Sequence, residues 1–385
     1  MDYIYWDNAA TEQISESVRK AMEPYLDDRY GNPSSIHNLG IQAKKAIQES
    51  RKTIAKCMKC NADEVFFTSC GSEGNNWAIK GLIQKGIKEN KRDILFSSVE
   101  HHSILNQIPY LESLGFNIKL IPVDEWCVVD TNWLEHNITD NTLLVSVMTV
   151  NNEVGTLQPI EQISNICSKH NVIFHTDAVQ AIGHTLIDVC KYADIVTISG
   201  HKIHAPKGVG CIIKKPHINL DPLICGGGQE SGLRGGTENV ASIVGLAQAM
   251  QDNLNKDWKV INSRQTAVID TIVKELTNSN IDYISNTKRD LAIKGIYNFS
   301  VKGLDGETIQ LLSSVDGVYI STHSACDSNS QQPSHVLQAM NVDKEYLQGS
   351  IRISLPDNVA ELSSEVAVKG IHTIISSINK LKGNR

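Results

Sequence analysis

Lys202 is the residue whose surroundings point most clearly to chemistry. It closes the run Ser199-Gly200-His201-Lys202, just past the β-like stretch DIVTIS. A lysine amine at a strand exit can form a Schiff base with a carbonyl cofactor. The carboxyl edge of an open α/β sheet is where such ligands bind. Most lysines are solvated loop residues, so Lys202 stands out only by its company. Asp177 ends the stretch VIFHTDA, one strand–helix–strand unit upstream, so the two side chains should face one cleft. A carboxylate there can hold a pyridinium nitrogen protonated and make the ring an electron sink. Taken alone, Asp177 reads equally well as a helix cap.

Three further strand exits add polar groups. In SCGSEGNN (69–76), Gly71 lets backbone approach an anion, Ser72 offers a hydroxyl, and a helix N-terminus adds aligned N–H groups. VEHHSIL (99–105) carries adjacent imidazoles, one of which could stack on a flat ring or shuttle protons. VNNEVG (150–155) is rich in amides. Far downstream, STHSACDSNS (321–330) sets Cys326 among small polar residues, which suits a thiol that must reach a substrate and then a partner. His323 could favour its thiolate. Arg352, in SIRISL, matches a substrate carboxylate bidentately, although a surface ion pair is the plainer reading.

The elements that must hold these groups follow from the hydrophobic pattern. VFFT (65–68), DILFSS (93–98), NIKLIPV (117–123), LLVSVMTV (143–150), VIFHTDA (172–178), DIVTIS (194–199) and GVGCIIK (208–214) read as strands. Helix-like stretches separate most of them, including 75–90 and 160–170. The expectation is an α/β fold, with a large domain whose mostly parallel sheet is flanked by helices. After about residue 255 the pattern changes to a long helix, shorter strands and a closing apolar-faced helix. The large domain is therefore expected over 13–256. Residues 1–12 and 257–385 are expected to form a smaller α+β domain carrying the cysteine loop at about 321–332.

Bulk properties narrow the classes. The chain has 385 residues, 41% hydrophobic and 21% charged, with net charge −7, so no global basic field argues for nucleic acid. The start, MDYIYWDNAA, has no basic, apolar leader, and no apolar run approaches the ~18 residues a membrane span needs. Nine cysteines without framework spacing read as reduced thiols, and a cytoplasmic enzyme is expected. Cys57 and Cys60 form a C-x-x-C pair with no second pair at zinc-finger spacing, so no metal is expected.

Together these residues resemble the cysteine desulfurase family (NifS/IscS-like), in the class V aminotransferase group of fold-type I pyridoxal 5'-phosphate enzymes. The resemblance runs from DNAAT (7–11) and GNPSS (31–35) to SIRISLP (350–356). It is sharpest in VNNEVG, HTDAVQ, SGHK, GGGQESGLRGGTEN (226–239) and SACDS. It implies Lys202 as the Schiff-base lysine and Asp177 as partner of the pyridine nitrogen. It implies His101 stacked over the ring, and Gln180 and Asn152 near the phenolic oxygen or substrate. Gly71, Ser72, Ser199 and His201 would hold the phosphate, joined by Thr237 from the partner of a homodimer. Asn32 and Arg352 would bind the carboxylate of L-cysteine. Cys326 would take the sulfur as a persulfide, releasing alanine, and hand it to an acceptor protein. Iron–sulfur cluster assembly, tRNA or thio-cofactor thiolation and DNA-backbone modification are the destinations such donors serve.

Departures from the family pattern carry expectations too. Gly71-Ser72 and Gly74 stand where the family usually shows A-T-E-S, and Ser72 keeps a hydroxyl. His323 replaces a glycine. Asp327 sets a carboxylate beside the thiol, which opposes its ionisation. The competing readings are a selenocysteine lyase or small-amino-acid aminotransferase of the same fold and, in another class, a non-catalytic sulfur-transfer scaffold. A cysteine hydrolase built on Cys326 and His323 ranks last.

Overall fold

A computed structural model describes residues 3–185, 187–322 and 333–383. Its strands are β1 (Ile4–Tyr5), β2 (Val65–Thr68), β3 (Asp93–Ser97), β4 (Asn117–Ile121), β5 (Thr142–Ser146), β6 (Ile173–Asp177), β7 (Ile195–Ser199), β8 (Gly210–Lys214), β9 (Tyr283–Ser285), β10 (Ile296–Val301), β11 (Val318–Tyr319) and β12 (Ser350–Ser354). Seven of them form one sheet in the order β2-β8-β7-β6-β5-β3-β4.

All but the edge strand β4 are buried along their whole length. Side chains alternate between faces at period two. Leu95, Val196, Ile198, Cys211 and Ile213 therefore enter one apolar cluster, while Ile94, Phe96, Ile195 and Ile212 enter another. Helices such as Asn38–Met58, Ile160–Lys169 and Val240–Leu254 supply Ile54, Ile163 and Leu246 to the first; the helix Gly71–Lys80 supplies Trp77 and Ile79 to the second. Apolar cover on both faces is what a sheet of such continuously hydrophobic strands requires.

Strand β8 is antiparallel to both its neighbours. Only residues 200–209 join β7 to β8, too few for a helical crossover, so the chain must fold straight back. Lys202 accordingly sits in the turn of a hairpin. The helical stretch expected over 75–90 is two helices, Gly71–Lys80 and Ile83–Glu89. The break falls at Gly81, where a Cβ would lie 2.7 Å from the Trp77 carbonyl and 3.0 Å from Leu220.

A three-stranded antiparallel sheet, β12-β10-β9, packs with helices Trp258–Asn278 and Ser364–Gly383 around Phe299, Ile351, Ile353, Ile272 and Ile371. The N-terminal segment joins this core. β1 pairs in parallel with β11, and Trp6 packs against Gly370, where a Cβ would come within 2.3 Å of the indole. Among the described residues, no helix is long and apolar enough to cross a membrane. His323, Cys326 and Asp327 lie outside the described residues.

Candidate active site

Strands β3, β5, β6 and β7 run parallel, and β2 shares their direction because β8 opposes both β2 and β7. Their carboxyl ends therefore meet at one edge. There a cavity of ≈ 170 Å³ is lined by Gly71, Ser72 and Asn75 after β2, His101 and Ser103 after β3, and Met148 and Asn152 after β5. Asp177 and Gln180 at the end of β6, Ser199, His201 and Lys202 at the end of β7, Ala9 and Ala10 from the N-terminal segment, and Arg352 from β12 also line it.

Within the cavity, Lys202 Nζ donates to the carbonyls of Ala9 and, at 2.8 Å, Ala10. Gln180 Nε2 also donates to Ala9 O, at 2.8 Å, so one N-terminal turn seats both side chains. Asp177 is buried and accepts from Val179 N at 2.9 Å and Asn75 Nδ2 at 2.7 Å. Asn75 Nδ2 also reaches Ser103 Oγ at 2.8 Å, and Ser103 Oγ lies 2.8 Å from His101 Nδ1. His101 caps the short helix His102–Leu105 by accepting from Ser103 N. His201 Nδ1 lies 3.2 Å from Thr11 Oγ1. Burial, then the charges of Lys202 and Lys207, lowers His201 to about 4, so it is neutral at pH 7.

Arg352 is only 1% exposed. It donates from Nη2 to Asp7 Oδ1 and from Nη1 to the Asn152 carbonyl, both at 2.9 Å, while its Nε has no partner among the described residues. A guanidinium has five N–H donors, so capacity for a carboxylate remains.

The lining fits pyridoxal phosphate. Among the described residues, the buried Ser199 Oγ and Gln180 Oε1 have no hydrogen-bond partner, and buried polar groups normally have one. A Cβ on Gly71 would lie 2.9 Å from Val179 Cγ2 and 3.3 Å from Ser199 Cβ, so the cradle admits only glycine without displacement. The N-terminus of the ten-residue helix Gly71–Lys80 opens beside Ser72 and suits an anion. A primary amine and a hydrogen-bonded carboxylate complete a donor set suited to an aldehyde, a ring nitrogen and a phosphate.

Two expected residues lie elsewhere in the single chain. Asn32 is exposed and its Oδ1 accepts from Ser34 N at 2.9 Å. Thr237 lines an adjoining cleft with Ser69 and Arg234, whose guanidinium is held by Glu73 at 2.8 Å. Conversely, Asn75, Ser103 and Asp7 belong to the site and were not singled out from sequence. The signal for Asn75 was its spacing of four from Gly71, on one helix face.

Beneath the N-terminal turn lies a second polar group. Glu12, His204 and Asp357 place ligand-type atoms within 4.8 Å of one another. His204 Nδ1 donates to the Gln13 carbonyl at 2.9 Å, and its Nε2 faces Asp357 at 3.1 Å and Glu12 at 3.2 Å. Lys256 also pairs with Asp357. Burial pushes the Glu12 carboxyl up to about 7, against the pull of His204.

The fold and this lysine–carboxylate pocket are those of a fold-type I pyridoxal-phosphate enzyme. Residues 4–361 match the family model Aminotransferase class-V. "Cysteine desulfurase IscS" of Dictyoglomus turgidum is 41% identical over 353 residues, covering 91% of this chain and 89% of that protein. Among solved structures, a "NIFS-LIKE PROTEIN" superposes with TM-score 0.90 at 35% identity, covering 98% of this chain and 99% of that one. A structure described as "SspA in complex with cysteine" gives TM-score 0.80 at 34% identity, over 92% and 99%. The chain belongs to the class-V aminotransferase family, in its pyridoxal-phosphate-dependent cysteine desulfurase branch.

Proposed function

We propose that the cavity removes sulfur from L-cysteine, with Cys326 as acceptor. The cysteine Cβ–S bond breaks, an S–S bond forms on Cys326, and the products are L-alanine and an enzyme persulfide. The observation that carries this reading is the convergence of Lys202 and Asp177 on one cavity, beside Ser199 Oγ and Gln180 Oε1, which have no hydrogen-bond partner among the described residues. The relative solved with cysteine supports that amino acid as substrate.

Bound pyridoxal phosphate supplies an aldehyde that captures amines and a ring that withdraws electrons from them. Gly71, Ser72, Ser199 and His201 would hold its phosphate, Asp177 its ring nitrogen, and Gln180 and Asn152 its phenolic side. Lys202 Nζ, released from the Ala9 and Ala10 carbonyls, would hold the aldehyde and later accept the substrate α-proton. His101 would cover the ring. Arg352 would bind the substrate carboxylate with the donors that Asp7 and Asn152 leave over.

A homodimer completes the reading, with Thr237 of one protomer reaching its partner's phosphate and Asn32 joining the substrate site. Exposed Leu26, Tyr30, Ile36 and Ile41 support it, since they cluster in sequence around Asn32 and call for cover. Two lobes, 13–256 and 1–12 with 257–385, are supported by the separate apolar cluster around β10 and β12. The eight described cysteines are all free thiols, which suits the reducing cytoplasm. From there the persulfide sulfur would pass to an acceptor protein.

The test is Cys326→Ala. It should keep the yellow cofactor and lose cysteine-dependent sulfide release. Substantial persulfide formation in that variant would exclude Cys326, and a keto acid product would instead mark an aminotransferase.

A further inference from the structure

The hydrogen bonds at His101 Nδ1 leave one arrangement of protons. Asp177 Oδ2 accepts only, so the Asn75 group facing it at 2.7 Å must be the NH2, as the assigned orientation has it. The other proton of that NH2 points at Ser103 Oγ, 2.8 Å away. An oxygen that accepts from Asn75 is free to donate its own proton, and its neighbour at 2.8 Å is His101 Nδ1. The Ser103 backbone N–H also donates to Nδ1, at 3.1 Å. A backbone N–H cannot reverse, so Nδ1 must present its lone pair. Asn75 is 1% exposed, so water does not compete for its amide protons.

We propose that Asn75 and Ser103 are positioning residues that hold His101 as the Nε2–H tautomer and tie it to Asp177. Nε2 is then the nitrogen that carries the proton, and His101 offers a hydrogen-bond donor from that atom. Taking up a second proton at Nδ1 would set N–H against N–H at Ser103. The chain Asp177–Asn75–Ser103–His101 also fixes the imidazole relative to the carboxylate expected to hold the ring nitrogen, so a shift at either end is felt at the other. The catalytic consequence rests on the function proposed above; the tautomer does not.

Selective 15N-histidine labelling of the full-length protein, with and without cofactor, reads the tautomer directly, with His101→Gln assigning the resonance. The expected result is an unprotonated Nδ1 and a protonated Nε2 in both forms. A proton on Nδ1 overturns the proposal, whatever reaction the enzyme proves to catalyse. Ser103→Ala removes one of two donors. Its Nδ1 resonance should move toward that of unconstrained imidazole, and kcat should fall about tenfold with KM unchanged, the loss of one hydrogen bond. Ser103→Thr should restore both. Unchanged resonance and kcat in Ser103→Ala would remove Ser103 from the role. Asn75→Ala should shift the same Nδ1 resonance; no shift would refute the link to Asp177.

Discussion

Replacing Glu12 with glutamine should flatten part of the protein's stability–pH profile. Glu12 is 4% exposed, and its Oε1 has no partner among the described residues. Burial, opposed by His204 and Lys256 and reinforced by Asp357, raises its pKa from 4.5 to about 7. Between these two values the folded protein binds more protons than the unfolded chain, so stability falls as pH rises through the window. The shift corresponds to about 3 kcal/mol. Glutamine has the shape of the protonated side chain and never ionises. Glu12→Gln and wild type should therefore be similarly stable near pH 5, while near pH 8 the variant should be more stable by about 3 kcal/mol. His204, which burial lowers but the hydrogen bond to Asp357 and the charge of Glu12 raise further, is present in both proteins, as is Asp357. The variant loses the Glu12 charge that helps raise His204 but keeps the His204–Asp357 hydrogen bond. Thermal melting of the two proteins at half-unit pH steps is the assay. Parallel curves from pH 5 to pH 8 would refute the assignment of Glu12 as a buried acid that is protonated below neutrality.

Gly71→Ala should leave the fold intact but weaken cofactor retention about tenfold, because the stiff Val179 and Ser199 bound the added methyl closely; titration of cofactor-free protein measures it. Arg352→Lys should raise KM for cysteine by about ten- to a hundredfold. An ammonium lacks the planar fork with which the guanidinium can span Asp7, the Asn152 carbonyl and a substrate carboxylate. Steady-state kinetics decide that case. Lys202→Ala should abolish the visible absorbance of lysine-bound cofactor, while far-ultraviolet dichroism remains that of the wild type.

Much of the scaffold is written locally in the chain. The seven strands of the main sheet are short β-branched or aromatic runs, all but the edge strand β4 buried on both sides, and each lies within a few residues of where the sequence pattern places it. The reversal of β8 was less visible, because it depends on the length of the link from Ser199 to Gly210 and not on any residue type. The helix break at Gly81 depends on Leu220, which is remote in sequence. Strand-exit motifs drew attention to Lys202, Asp177, His101, Ser72 and Asn152 because polar groups after apolar runs stand out, and these residues share one cavity. Asn75 was hidden because a polar side chain within a helix reads as solvated unless its partner is known, and Asp177 is 102 positions away. Glu12, His204 and Asp357 come from three separate segments and carry no motif. Asn32 and Thr237 entered by resemblance, and the single chain leaves both outside the cavity.

The central claim is that sulfur leaving cysteine in this cavity lands on one particular thiol out of nine. Purified enzyme mixed with 35S-cysteine, quenched within a turnover, alkylated and digested gives the direct answer. The account predicts one labelled peptide, containing Cys326 and heavier by a single sulfur atom, with alanine formed in equal amount. Label on Cys60, Cys225 or any other cysteine, with the Cys326 peptide unmodified, would contradict it.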